Sequence, residues 1–362
     1  MVNGYDAPEE AELEYTKQQI NSAGRVLRSN TYLTNGVDNA MTILDYWRAV
    51  HSHPMQVFYV RLRRLSKKLD KDSFASQRLK RAYSIFVKLR RKYHGHRPSM
   101  DLYQIQDIAG CRTTLSNVGL VKKLVEESYI KGELKHKLVK KNDYIEKPKE
   151  DGYRGMHLIY SYNSDKERKK KYNGLLVEVQ IRSRIQHLWA TAVETTGLFT
   201  REAIKSSEGS PEWIEFFKLV SSAFARMESC PIVPNTPDDE RELYLEIKKR
   251  GDTLKVINKM RGWTNALKVF NESSKKRKKD IFFLLELDIK GQKLTIHSYG
   301  RGEENKALDE YGALEKRYTG DKDYDVVLVG VAAAHDLENA YPNYYGDTQQ
   351  FLDLLHKIIS KY

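Results

Sequence analysis

Two pieces of the stretch Asp143–Arg182 carry residues whose types and spacing suit chemistry on a nucleotide. The first reads DYIEKPKEDGYRGMHLIY. Its Lys147, Pro148, Lys149 and Gly152 predict a turn, Tyr153 and Arg154 follow, and a short strand carries His157. Cations suit phosphate, and a ring suits a base. The second piece reads LLVEVQIR and alternates strictly: Val177, Val179 and Ile181 to one face, Glu178, Gln180 and Arg182 to the other. A charged row on an otherwise buried strand is costly unless a cleft uses it. Upstream, Asp107 leads into Ile108-Ala109-Gly110-Cys111-Arg112, a turn entering a second strand. Asp107 and Glu178, converging from separate strands, can hold Mg²⁺ beside phosphate oxygens. One of them can instead help deprotonate a hydroxyl nucleophile. Arg78, Lys80, Lys88 and Arg112 supply the positive charge that a polyphosphate requires. No Gly-rich P-loop is present. Taken singly, either piece reads equally well as a solvated loop or an edge strand.

The elements that must position these residues follow from periodicity. Apolar residues at helical spacing predict helices over Gly36–Val50 and Met55–Leu69. Glu9–Ala23 reads as a polar helix. Ser73–Tyr93 reads as one more helix, on which Lys80, Ser84 and Lys88 share a face. Strands are expected at Leu138–Ile145, Met156–Tyr162 and Leu175–Arg182, with a helix over Arg184–Leu198. Glu212–Met227 is amphipathic, and Asp239–Asn271 keeps one apolar side that Gly251 and Gly262 weaken. The basic run Ser273–Lys279 marks a boundary. Beyond it, a hairpin of Ile281–Leu287 and Lys293–Tyr299, a helix over Glu303–Tyr318, a strand over Tyr324–Val331 and a final helix over Asp347–Ser360 make a small α+β unit.

At 362 residues the chain has room for two domains. Its formal net charge of +13 is unevenly spread. Asp280–Tyr362 carries 15 acidic and 9 basic residues, a net of −6, whereas the part before it carries 53 basic and 34 acidic, a net of +19. A basic body points to a polyanionic partner, RNA or DNA, which an acidic tail can screen. Two cysteines make neither a disulfide framework nor a metal pattern, so a reducing cytoplasm and no structural zinc are expected. No apolar run is long enough to span a membrane.

Four motifs in order, Arg78-x-Lys80-x-x-x-Ser84-Ile85, Asp107-Ile-Ala-Gly-x-Arg112, Lys149-x-x-Gly152-Tyr153-Arg154-x-x-His157 and Glu178-Val-Gln180-Ile-Arg182, closely resemble the RelA/SpoT-type synthetase domain. The resemblance covers Gln77–Thr196. It implies an α+β fold: a mixed, nucleotidyltransferase-like β-sheet flanked by helices. It further implies a diphosphokinase in which ATP donates pyrophosphate to a 3′-hydroxyl. By resemblance, Arg78 and Arg112 sandwich the adenine, and Lys80, Ser84 and Lys88 hold the ATP phosphates. Asp107 binds Mg²⁺, while Glu178 acts on the acceptor hydroxyl and the metal. Tyr153 stacks on the acceptor base, with Lys149, Arg154, His157 and Gln180 around it.

The longer chain and the Tyr341-x-x-Tyr344 pair further resemble the CapRel type of fused toxin–antitoxin. That resemblance implies a toxin that pyrophosphorylates the 3′-CCA end of tRNA. It implies a tail like a zinc-less zinc finger, whose Tyr341 and Tyr344 block the ATP site until a phage capsid protein binds. The expected division is a toxin domain over 1–272, a linker over 273–279, a regulatory domain over 280–346 and an anchoring helix over 347–362. The alternative is an alarmone synthetase acting on GDP or GTP. Taken alone, the two tyrosines read equally well as core aromatics one helical turn apart.

Overall fold

The computed structural model describes residues 13–29, 36–90, 100–200, 210–274, 280–288, 293–318, 324–330 and 344–362. Tyr341 lies outside the described residues, as does the side chain of Tyr344.

The chain forms two compact units, one of residues 1–143 and 155–184, the other of 144–154 and 185–362. In the first unit, helices α1 (Lys17–Arg28), α2 (Val37–Val50) and α3 (Ser52–Leu69) precede a five-stranded mixed sheet. Its strands are β1 (Phe74–Leu79), β2 (Ala109–Leu115), β3 (Lys137–Asp143), β4 (Met156–Ser161) and β5 (Leu176–Ser183), in spatial order β1-β2-β5-β4-β3. Only β2 and β5 run parallel; the other neighbours are antiparallel. Helix α4 (Ala82–Arg90) follows β1, α5 (Val118–Lys123) follows β2 and continues as a π-helical turn to Ile130, and the short α6 (Glu167–Lys170) precedes β5.

The alternation in β5 is realised: Val177, Val179 and Ile181 are fully buried, while Glu178 and Gln180 are half-buried on the other face. Helix α3 packs against β1, β2 and β5, with Phe58 and Leu62 buried. The other face of the sheet keeps its polar residues.

The expected helix over Ser73–Tyr93 is corrected. Residues 74–79 are a strand, paired with β2 from Phe74↔Thr114 to Leu79↔Ala109. The chain turns at Lys80 and becomes helical only from Ala82. Local propensity in FASQRL is weak, so cross-strand pairing decides its state. Lys80, Ser84 and Lys88 therefore do not share one helix face; only Ser84 and Lys88 do.

In the second unit, α7 (Arg184–Thr200, entered from β5), α8 (Pro211–Met227), α9 (Glu240–Thr253) and α10 (Val256–Ser274) surround one core. The single long helix expected over Asp239–Asn271 is two helices. They part at Leu254–Lys255, where Lys255 adopts φ +52°, and not at either glycine. A three-stranded antiparallel sheet of β6 (Asp280–Asp288), β7 (Lys293–Gly300) and β8 (Tyr324–Gly330) has the order β7-β6-β8 and carries α11 (Glu304–Arg317). Phe283 and Leu285 of β6, and Phe351, Leu352 and Leu355 of α12 (Tyr344–Ile359), join the same core as Trp189, Phe217 and Trp263. Elements on both sides of 273–279 thus belong to one unit. Among the described residues no helix is long and apolar enough to cross a membrane.

Candidate active site

In the first unit, cross-strand partners share a face of the sheet. Register therefore writes out the polar face in rows. One row is Arg78, Gly110, Glu178, Ile159 and Lys140; the next is Ser76, Arg112, Gln180, His157 and Asn142. A Cβ on Gly110 would meet nothing nearer than 3.7 Å, so packing tolerates a side chain there. Glycine leaves the position between Arg78 and Glu178 without a side chain.

Asp107 stands in the turn that enters β2. Its Oδ2 accepts from Lys80 Nζ at 2.9 Å and its Oδ1 from Lys88 Nζ at 2.8 Å. The Lys80 backbone is pinned on both sides: its N–H donates to Ile108 O at 2.7 Å, and its carbonyl accepts from Arg48 Nε at 2.9 Å. Burial pushes the Asp107 carboxyl pKa up, but the charges of Lys80 and Lys88 and their hydrogen bonds outweigh it, so the net shift is well down. Lys80 is itself shifted down by burial, against the pull of Asp107.

Glu178 is held by neighbours on its own face. His157 Nδ1 lies 2.8 Å from Oε1, Gln180 Nε2 donates to Oε2 at 2.6 Å, and Arg182 Nη2 donates to Gln180 Oε1 at 3.1 Å. Burial raises the Glu178 pKa and the nearby charge of Asp107 adds to this; the hydrogen bond and charge of His157, with the hydrogen bond from Gln180, together outweigh them. The net shift is down. Asp107 lies two residues before Ala109, the parallel partner of Val177, so the two acids come from the same end of adjacent strands, and Asp107 acts electrostatically on Glu178. Ser84 and Arg112 are half-buried and Arg78 is exposed on β1.

Arg182 was legible as part of the alternating polar row but carried no expected role. The structure makes it the group that orients Gln180, and the i, i+2 spacing of Glu178, Gln180 and Arg182 was the signal for it.

Mg²⁺ fits this donor set in one particular way. Among the described residues no group of three or more His, Cys, Asp or Glu is placed to hold a metal. Both oxygens of each carboxylate already accept one hydrogen bond. Two carboxylates with one remaining lone-pair direction per oxygen suit a hard ion that arrives with phosphate oxygens, the usual mode for Mg²⁺.

The remaining expected acceptor residues lie in the second unit. Lys149 N–H donates to Tyr153 O at 3.1 Å and Gly152 N–H to Lys149 O at 2.9 Å, closing the turn. Gly152 has φ +90°, and a Cβ there would stand 3.0–3.1 Å from Lys218, Ser221 and Trp189, so only glycine fits. The Lys149 ammonium sits 4.5 Å over the Tyr144 ring and 5.0 Å over that of Tyr153. Tyr153 is 7% exposed and meets Tyr144 and Trp189 edge to face.

Arg154 departs from expectation. Its side chain is 2% exposed and paired at 2.8 Å with Glu228, itself 6% exposed. A guanidinium committed to a buried carboxylate holds the fold together and offers no surface to an acceptor. Arg154→Ala should strand the Glu228 charge and cost about 3–5 kcal/mol. Thermal denaturation measures it, and an unchanged melting temperature contradicts this structural role.

Residues 77–200 match the model of the region found in RelA/SpoT proteins. GTP pyrophosphokinase YjbM of Bacillus subtilis (strain 168) is 34% identical over 118 residues, which make up 33% of this chain and 53% of that protein. The chain thus spans about half the length of this curated relative. Among solved structures, the small alarmone synthetase 1 of Bacillus subtilis bound to its product pppGpp is 25% identical, with a TM-score of 0.43, covering 51% of this chain and 93% of that one. A GTP pyrophosphokinase family protein from Streptococcus pneumoniae is 22% identical, with a TM-score of 0.41, covering 51% of this chain and 89% of that one. Every expected site residue except Tyr341 and Tyr344 falls inside the RelA/SpoT region at 77–200.

Proposed function

We propose that this protein is an ATP-dependent pyrophosphotransferase that acts on a 3′-hydroxyl. The observation that carries this reading is the pair Asp107 and Glu178. Both are held ionised, in one electrostatic field, with Lys80 and Lys88 on the first and His157 on the second. In the reaction the acceptor oxygen bonds to the β-phosphorus of ATP, the bond from that phosphorus to the α-phosphate oxygen breaks, and AMP leaves.

Lys80 and Lys88 exchange Asp107 for phosphate oxygens as ATP binds, and Arg78 and Arg112 flank the adenine. Asp107, together with Glu178, would hold Mg²⁺, which supplies charge neutralisation at the phosphates. Glu178 has a lowered pKa and is a weak base. Its task is to accept a hydrogen bond from the hydroxyl and orient it, taking the proton only as the new P–O bond forms. Gln180 and His157 fix the carboxylate, and Arg182 fixes Gln180. Lys149 and Tyr153 receive the acceptor base and its phosphates.

Our reading of the acceptor is the 3′-CCA end of tRNA, supported by the net charge of +19 before Asp280. GDP or GTP is the second reading, supported by the similarity to the GTP pyrophosphokinase of Bacillus subtilis. The test is the full chain with ATP labelled in its outer phosphates and with deacylated tRNA, GDP and GTP side by side. Label on the tRNA 3′ end is expected. Label only on guanosine nucleotides establishes the second reading, and label on none removes the transferase.

The tail is read as an inhibitor that a phage capsid protein relieves. Support comes from the sequence resemblance and from the net −6 of residues 280–362 beside a basic body. On this reading Tyr344→Ala is toxic when expressed, and Asp107→Ala in the same chain abolishes the toxicity. Equal growth of parent and Tyr344→Ala strains counts against self-inhibition.

A further inference from the structure

We infer that β3 is a phosphate track for an RNA acceptor, with Lys137 and Lys140 as its contacts. This rests on the transferase reading above and extends it to how a polynucleotide, rather than a single nucleotide, is held.

The observation is a bulge. Lys137 pairs with Ser161, Leu138 with Tyr160, and then the register slips, so that Lys140 pairs with Ile159 and Asn142 with His157. Lys137 and Lys140 are an odd number of residues apart. In a regular strand they would point to opposite faces. The extra residue, Val139, puts both on the face of Ser161 and Ile159. Ile159 is paired with Glu178, so this is the face of the acids. Bulges near active sites commonly re-aim a side chain in this way. Lys141, paired with Leu158, is left on the opposite face.

The geometry suits a strand of phosphates. Ser161 and Ile159 are two residues apart, so the two lysines stand about 7 Å apart along β3. Set apart in this way, the two ammonium groups can each neutralise a separate phosphate of one strand. Lys140 stands in the row of Ile159 and Glu178, so a strand lying along the column passes level with Glu178. At the other end, Asn163 N–H donates to His136 Nδ1 at 3.1 Å, which ties the 163–171 segment and its exposed Arg168 and Lys170 to the start of β3.

Lysines on an edge strand also deter edge-to-edge aggregation. That role needs charge on the strand but no particular face. Lys137, Lys140 and Lys141 are all exposed, so Lys141 serves as the control.

The experiment measures binding of deacylated tRNA to the full chain across a salt series, for the parent, Lys137→Glu/Lys140→Glu and Lys141→Glu. Binding by the double variant should fall about tenfold or more, and its salt dependence should flatten by about 1.4 in log–log slope. Lys141→Glu should stay within about twofold of the parent. Equal losses in both variants, no loss in the double variant, or no tRNA binding by the parent each overturn the track. Label transfer from ATP, run on the same samples, reports separately on the transferase. A parent that binds tRNA along β3 but transfers nothing to any acceptor loses the enzyme and keeps the track.

Discussion

Asp107→Asn should reduce pyrophosphate transfer by at least about 10³-fold while leaving the chain folded. Three losses coincide at that residue. On the proposed reading, an amide would hold Mg²⁺ less well than a carboxylate and would leave charge on the outer phosphates unneutralised. Lys80 and Lys88 lose the acid that aims them, at 2.9 and 2.8 Å. Lys80, whose pKa burial already pulls down, loses the charge that opposes this and drops further.

The stability cost should be about 1–3 kcal/mol, since the Asp107 side chain retains 23% exposure and solvent screens part of the pair. Its pH dependence has a definite sign. The folded pKa of Asp107 is lowered, so its contribution is complete above the unfolded carboxylate value of about 4 and is lost as pH falls toward the folded value. The melting-temperature gap between Asp107→Asn and parent should therefore narrow below about pH 4. Steady-state transfer and a pH series of melts measure both effects. A variant that keeps a tenth of parental activity excludes Asp107 from the phosphate site.

Glu178→Gln should lower kcat by about 10²–10⁴-fold and leave the KM for ATP within about threefold. The substitution is isosteric, and Gln180 and His157 can still hydrogen-bond to it, so geometry survives. What disappears is the ionised acceptor for the incoming hydroxyl. Because the Glu178 pKa is lowered, the carboxylate stays charged throughout the neutral range. The parent should accordingly show no loss of kcat from this group until pH falls below the usual Glu value of about 4.3. An acid limb near neutrality that vanishes in Glu178→Gln would contradict this assignment. So would a variant in which KM rises and kcat holds, since that is the mark of lost ground-state binding.

Much of the site was legible in residue types and spacing. Residue types marked out Asp107, Glu178, Lys80 and Lys88 as a candidate set, whereas the pairing of Lys80 and Lys88 with Asp107 appears only in the structure. Their route differs from the periodic one: a spacing of four suits one helix face, whereas Lys80 comes from a turn after β1 and Lys88 from α4. Arg154 sits inside a recognisable motif, yet its partner Glu228 is 74 positions away and no local pattern announces it. The basic run at 273–279 suggested a boundary. A charged run predicts only solvation, and Phe283 beyond it packs with Trp189 and Phe217 before it.

By itself the sequence determined which side chains face which way along β5, because alternation is a property of the extended backbone and needs no partner. It likewise determined the charge asymmetry and the chemical inventory of the site. Tertiary structure alone decided that 74–79 is a strand, that Arg154 is buried against Glu228, and that a bulge at Val139 turns Lys137 toward the acids. Each of these depends on a partner distant in the chain: a neighbouring strand, a counter-charge, a register. Short-range periodicity carries no information about such contacts, since their energy is gained only when the remote segment arrives.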